Sequence, residues 1–123
     1  MIFYGPGFIK PLGSVAVPHE ATVADLAPTI AELIETPFPS GRPGRVLEQI
    51  LVPEHRRPPA PALVLNIVLD GGGWNVLHQW PDEWPFLAEM IAGGASITDA
   101  TIGSSPSVTP AIHTTMGTGA WPK

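Results

Sequence analysis

Apolar residues along this chain recur with different periods on either side of a proline-rich stretch. In the first part Ile2, Phe3 and Tyr4 form a run of strand length that Gly5, Pro6 and Gly7 end at once. From His19 onward Val23, Leu26, Ile30, Leu33 and Ile34 recur at helical spacing, which predicts one amphipathic helix over about residues 25–35. Thr22 or Asp25 is placed to cap its start, and Pro28 lies near the first turn, where proline is tolerated. Residues 36–45, TPFPSGRPGR, read as a loop, and VLEQIL at 46–51 as a short helical tail packing on that helix.

Residues 52–62, VPEHRRPPAPA, have no apolar period and read as a semi-extended linker. Beyond it Leu63 to Leu69 is apolar at every position but Asn66, the pattern of a strand covered on both faces in a parallel sheet. Asp70 stands at its carboxyl end, followed by three glycines. Trp74 to Trp80 has room for one or two helical turns. Pro85 to Ala92 predicts a helix with proline at its first position, Phe86, Leu87, Met90 and Ile91 as the apolar stripe, and Gly93-Gly94 as its end. Residues 95–101 alternate weakly and suit a second strand. Thr109-Pro110 then reads as a helix start, threonine at the N-cap and proline next, with Gly117 or Gly119 near the end. Strand, helix, strand, helix is the order of an α/β protein with a mostly parallel sheet and crossover helices.

Composition narrows the choices. The chain has 123 residues, enough for one small core, and its 16 prolines and 13 glycines imply short elements or segments of a larger whole. A net charge of −5, with Arg56-Arg57 as the only basic pair, gives no footprint for a phosphate backbone, so nucleic acid is not an expected partner. Cysteine is absent, which excludes disulfides and thiolate metal sites. The opening MIFYGPGFIKPLG lacks the basic start and unbroken apolar run of a signal peptide, and nothing approaches a membrane span. A cytoplasmic location is the default expectation.

Two residues carry candidate chemistry. Asp70 lies where ligands gather in α/β sheets, beyond the carboxyl end of a strand, and three residues without side chains leave room beside it; capping the next turn is its plainer role. Thr109 at a helix start lies where unpaired backbone N–H groups and the dipole favour phosphate, although most Thr-Pro starts are plain caps. That field is worth about 0.3–1 kcal/mol and does not by itself make a hydroxyl nucleophilic. A divalent cation does, which makes Asp70 the anionic partner Thr109 requires. The glycines of DGGGWNV do not fit a dinucleotide loop, since Val76 occupies the third small position, and neither a phosphate-binding P-loop nor a G-x-S-x-G elbow is present. His19, His55, His78 and His113 lack zinc-site spacing. His55 is expected in an exposed linker, His113 as a hydrogen-bonded structural residue, and the four tryptophans in packing or in a pocket wall.

Taken together, the apolar strand ending in Asp70-Gly71, WPFLAEMIAGGASITDAT and SPSVTPAIHTTMGTGAWP resemble the start of a type I phosphodiesterase/nucleotide pyrophosphatase catalytic domain, in the alkaline phosphatase superfamily. The resemblance implies a partial alkaline-phosphatase-like sandwich and a metal-dependent phosphoric ester hydrolase. It implies that Thr109 is the nucleophile, transiently phosphorylated, and that Asp70 and Thr109 bind one of two divalent metals, usually zinc, with a small-molecule phosphoester as substrate. Ile112 stands where the family carries an asparagine that donates to the phosphoryl oxygen, and proline follows Thr109 directly. Both departures favour a general phosphoric ester over a strict diester.

Residues 1–51 resemble the carboxyl-terminal end of the same superfamily, on IFYGPGFIKP and VADLAPTIAELIETPFPSGRPGRVLEQIL. The organisation implied is a tail piece at 1–51, a linker at 52–62 and a head piece at 63–123, in permuted order, without the middle that supplies the remaining aspartate and histidine ligands. The expectation is weak metal binding and no turnover by these residues alone, with the missing remainder of the domain as a partner. A non-catalytic module of the same fold, used in assembly or ligand binding, is the alternative.

Overall fold

A computed structural model of the chain describes residues 1–105 and 107–122. At its centre is a three-stranded sheet in which β3 (Ala95–Ser96) lies between β1 (Ile2–Phe3) and β2 (Gly13–Ser14). β1 is antiparallel to β3, with Ile2 opposite Ser96, and β2 is parallel to it, with Gly13 opposite Ala95. The sheet is therefore mixed, where the element order predicted a mostly parallel one. The strand expected over residues 95–101 is confined to Ala95–Ser96, which form the middle strand; β2 carries no apolar alternation and is held by backbone bonds alone, Gly13 N–H to Gly94 O at 3.0 Å and Val15 N–H to Ser96 O at 2.9 Å. On the other side Gly94 permits the close approach of β1, because a Cβ there would run into the Phe3 carbonyl oxygen.

One core forms under the sheet from both sides of the proline-rich stretch. Leu47, Ile50 and Leu51 pack with Ile9, Ala21, Ala95 and Ile97, all buried. The tail at 46–51 is a 3₁₀ turn, Glu48–Ile50, and its Leu47 N–H donates to Thr29 Oγ1 at 3.0 Å, so it docks on the predicted helix. That helix is a 3₁₀ turn, Val23–Asp25, running into α1 (Leu26–Leu33). Its buried face differs from the predicted stripe: Ala24, Asp25, Pro28, Thr29 and Ala31 are covered, whereas Ile34 is exposed and Val23, Leu26, Ile30 and Leu33 are half-buried. Close backbone approach explains the rotation. A Cβ on Gly44 would strike the Ala24 carbonyl oxygen, so only small residues fit at that contact.

The linker contains a 3₁₀ turn, Glu54–Arg56, and is tied down by Arg57, whose Nε donates to Val52 O at 2.6 Å and whose Nη1 pairs with Glu32 Oε1 at 3.1 Å. His55 is exposed, as expected. The largest departure follows. Leu63 to Leu69 belongs to no strand and is exposed throughout, with Leu63 at 78% and Leu65 at 73%. An all-apolar strand needs neighbouring strands and cover on both faces, and among the described residues nothing supplies either. Then come α2 (Trp74–Leu77), α3 (Pro85–Gly93) and α4 (Thr109–Thr118), close to the predicted helices. Phe86, expected on the buried stripe of α3, is 73% exposed. No helix is long and apolar enough to cross a membrane among the described residues.

Candidate active site

The Asp70 carboxylate is set by a turn in which Gly72 N–H donates to Leu69 O at 2.9 Å and Gly71 adopts φ +74°, a left-handed conformation that glycine takes at little cost. Thirty-nine positions along, Thr109 opens α4. The N-cap is Val108, in extended conformation, one residue before the position predicted for it. Ile112 N–H donates to Val108 O at 3.1 Å, so helical bonding begins there and the Thr109 side chain is not used as a cap. It is free to turn outward. Its Oγ1 donates to Asp70 Oδ2 at 3.1 Å, in an exposed setting.

The two residues singled out from sequence thus meet at one point on the surface. A carboxylate beside the first turn of α4 faces the positive end of the helix dipole, a favourable placement for negative charge. The arrangement orients a hydroxyl: with its proton directed at Asp70, the lone pairs of Thr109 Oγ1 face away. A hollow of about 450 Å³ runs along α4, lined by Pro110, Ala111, Thr114, Thr118, Trp121 and Arg42 but by neither Thr109 nor Asp70. Trp121 thereby walls a pocket, while Trp74 stacks on His78 at 5.4 Å and meets Trp84 edge-on.

As a metal site the pair is incomplete. A catalytic zinc uses about three protein ligands, and among the described residues no group of three His, Cys, Asp or Glu is close enough to hold an ion. The residues present do not fit a complete zinc centre. His113 is exposed and its side chain makes no hydrogen bond among the described residues, contrary to the structural role expected of it. Ile112 is half-buried.

The carboxyl end of α4 is fixed by residues that the spacing of motifs did not single out together. Gly119 caps the helix at φ +64°, and its carbonyl accepts the Gly44 N–H at 3.2 Å. Gly44 adjoins Arg45, whose N–H donates to Asp25 Oδ1 at 2.7 Å. Asp25 was legible as a helix cap, but a bond 20 positions away leaves no local signal.

Residues 64–123 match the family described as type I phosphodiesterase / nucleotide pyrophosphatase. This segment is similar to that family. Asp70 and Thr109 both lie inside the family segment, as do β3 and α4, whereas β1, β2 and α1 lie outside it. At family level the segment is that of a phosphodiesterase/pyrophosphatase-type hydrolase. No curated protein and no solved structure matches the chain.

Proposed function

We propose that this chain is part of a phosphoric ester hydrolase in which Thr109 is the nucleophile, acting on a small-molecule phosphoester. The single observation carrying this reading is the Thr109–Asp70 hydrogen bond, which joins the two residues of the family segment best suited to the chemistry. In-line attack by Oγ1 forms the Oγ–P bond and breaks the ester P–O bond; the threonine proton ends on the departing alcohol, and water later hydrolyses the phosphothreonine. Asp70 holds the hydroxyl proton and so points the oxygen lone pairs at phosphorus.

Metal dependence belongs to the same proposal. Two divalent ions, zinc by resemblance, would neutralise phosphoryl charge, and Asp70 and Thr109 are the donors this chain offers to one of them. The other donors must then come from outside these residues. We also read residues 1–51 as the carboxyl-terminal piece, 52–62 as the linker and 63–123 as the amino-terminal piece of a partial alkaline-phosphatase-like sandwich. The position of β3 between β1 and β2 supports this, since the two pieces complete one sheet.

The shortage of ligands equally favours a second reading, a non-catalytic module of the same fold. Metal content and phosphoester hydrolysis, measured on the longest natural reading frame and on this chain side by side, separate the two. Turnover and bound metal in the long form, with turnover lost in Thr109→Ala and the fold retained, support the enzyme. Unchanged turnover in Thr109→Ala rejects Thr109 as nucleophile, and a long form with neither metal nor turnover establishes the module.

A further inference from the structure

We propose that Asp25, outside the family segment, is a positioning residue for the helix that carries Thr109. Its carboxylate is almost fully buried, at 2% exposure. Charge in such a place is tolerated only with strong hydrogen-bond partners. Asp25 Oδ2 accepts the Thr22 N–H at 2.9 Å and Oδ1 the Arg45 N–H at 2.7 Å; the facing titratable group is His19, with Nε2 at 3.6 Å from Oδ2. Capping the helix start requires only the first of these bonds. The second reaches across to residues 44–45 and holds them against the 22–25 turn.

That clamp is continued by two neighbouring contacts. Thr29 Oγ1 donates to Asp25 O at 2.6 Å and accepts the Leu47 N–H, so residues 45 and 47 are both anchored on the same helical turn. Gly44, held between them and Ala24, donates its N–H to the Gly119 carbonyl at the end of α4. A Cβ on Gly119 would lie 3.3 Å from the Ala24 carbonyl oxygen, which places the helix end directly on the clamp. α4 is a short rod of roughly 15 Å. Its first residue bonds Asp70 and its last turn bears on the Asp25 clamp, so movement at one end is carried to the other. A displacement of about 1 Å at a reacting group is catalytically serious.

The functional meaning rests on Thr109 being the nucleophile, but the clamp is testable without turnover. In the 123-residue chain, Asp25→Asn should lower amide-exchange protection at Arg45 and Gly119 by about tenfold or more. The Thr109 methyl resonance should shift while the sheet amide of Ile97 keeps its protection. A uniform loss over sheet and helix would reduce Asp25 to a general stabiliser, and no loss would remove the proposal. Should Asp25→Asn fail to fold, amide exchange of the unmutated chain in low denaturant gives the same answer: the Arg45 and Gly119 amides should open together, at lower denaturant than the Ile97 amide. Separate openings of Arg45 and Gly119, or one opening shared with Ile97, overturn the inference. Failure here leaves the nucleophile reading standing, and the Thr109→Ala assay decides that one independently.

Discussion

Thr109 Oγ1 donates a 3.1 Å hydrogen bond to Asp70 Oδ2 although 39 positions separate the two in the chain. The bond brings the first residue of α4 to the turn after an apolar segment, and it is exposed. An exposed hydrogen bond between a neutral and a charged side chain adds little stability.

Removing it should therefore leave the protein folded. Asp70→Ala is expected to change unfolding free energy by no more than about 1 kcal/mol in urea denaturation. A large loss would make Asp70 a structural residue and weaken its assignment to the chemistry.

Burial ranks the leucines differently from the sequence pattern. Leu47 has no exposed surface, so Leu47→Ala should cost about 2–5 kcal/mol. Leu65, in the most apolar run of the chain, is 73% exposed, and Leu65→Ala should stay within about 0.5 kcal/mol. Denaturant midpoints of the two variants compare them directly, and equal losses would place the 63–69 run in a core.

Glycine substitutions should have opposite signs at two positions. Gly44→Ala drives a methyl group into the Ala24 carbonyl and should destabilise by about 1–3 kcal/mol. Gly117 is inside α4 with nothing within 4 Å of a built Cβ, so Gly117→Ala should stabilise by up to about 1 kcal/mol. Thermal melts read both, and a stabilising Gly44→Ala would contradict the packing of residue 44 on the 22–25 turn.

Acidity should act through the amino terminus. Burial lowers the Met1 amine below its ordinary 8.0, and the attraction of Asp99 opposes this. Below the lowered value the amine is charged in folded and unfolded chains alike and the burial penalty is fully felt; above 8.0 it is charged in neither and the penalty is gone. Stability from this group should rise with pH across that interval, and Asp99→Asn should extend the rise to lower pH. Melting temperatures that stay flat there, or fall, would contradict it.

Local chemistry made several elements readable in advance. Pro85 at the first position and Gly93-Gly94 at the end delimit α3, and Gly119 closes α4, because these residues fix backbone angles regardless of what surrounds them. The strand at 95 and the turn after Phe3 follow from the same kind of local preference. The apolar stripe of α1 is not its buried face, because the large residues at helical spacing are only half-covered, while Gly44 and Thr29 select the small face by backbone approach and hydrogen bonding. The run 63–69 has the composition of a buried strand, but a strand is defined by partners that the run itself does not contain.

In the sequence alone are written the bounds of α3 and the close of α4, the candidates Asp70 and Thr109, and the resemblance that residues 63–123 carry. Those depend on residue type and short spacing. Only the tertiary structure decided that β3 is shared between β1 and β2, that Thr109 meets Asp70, and that Asp25 reaches Arg45 rather than serving as a cap alone. Each of these is a contact between segments distant in the chain, formed by backbone groups or by one short side chain, and such contacts leave no periodic trace in the order of residues.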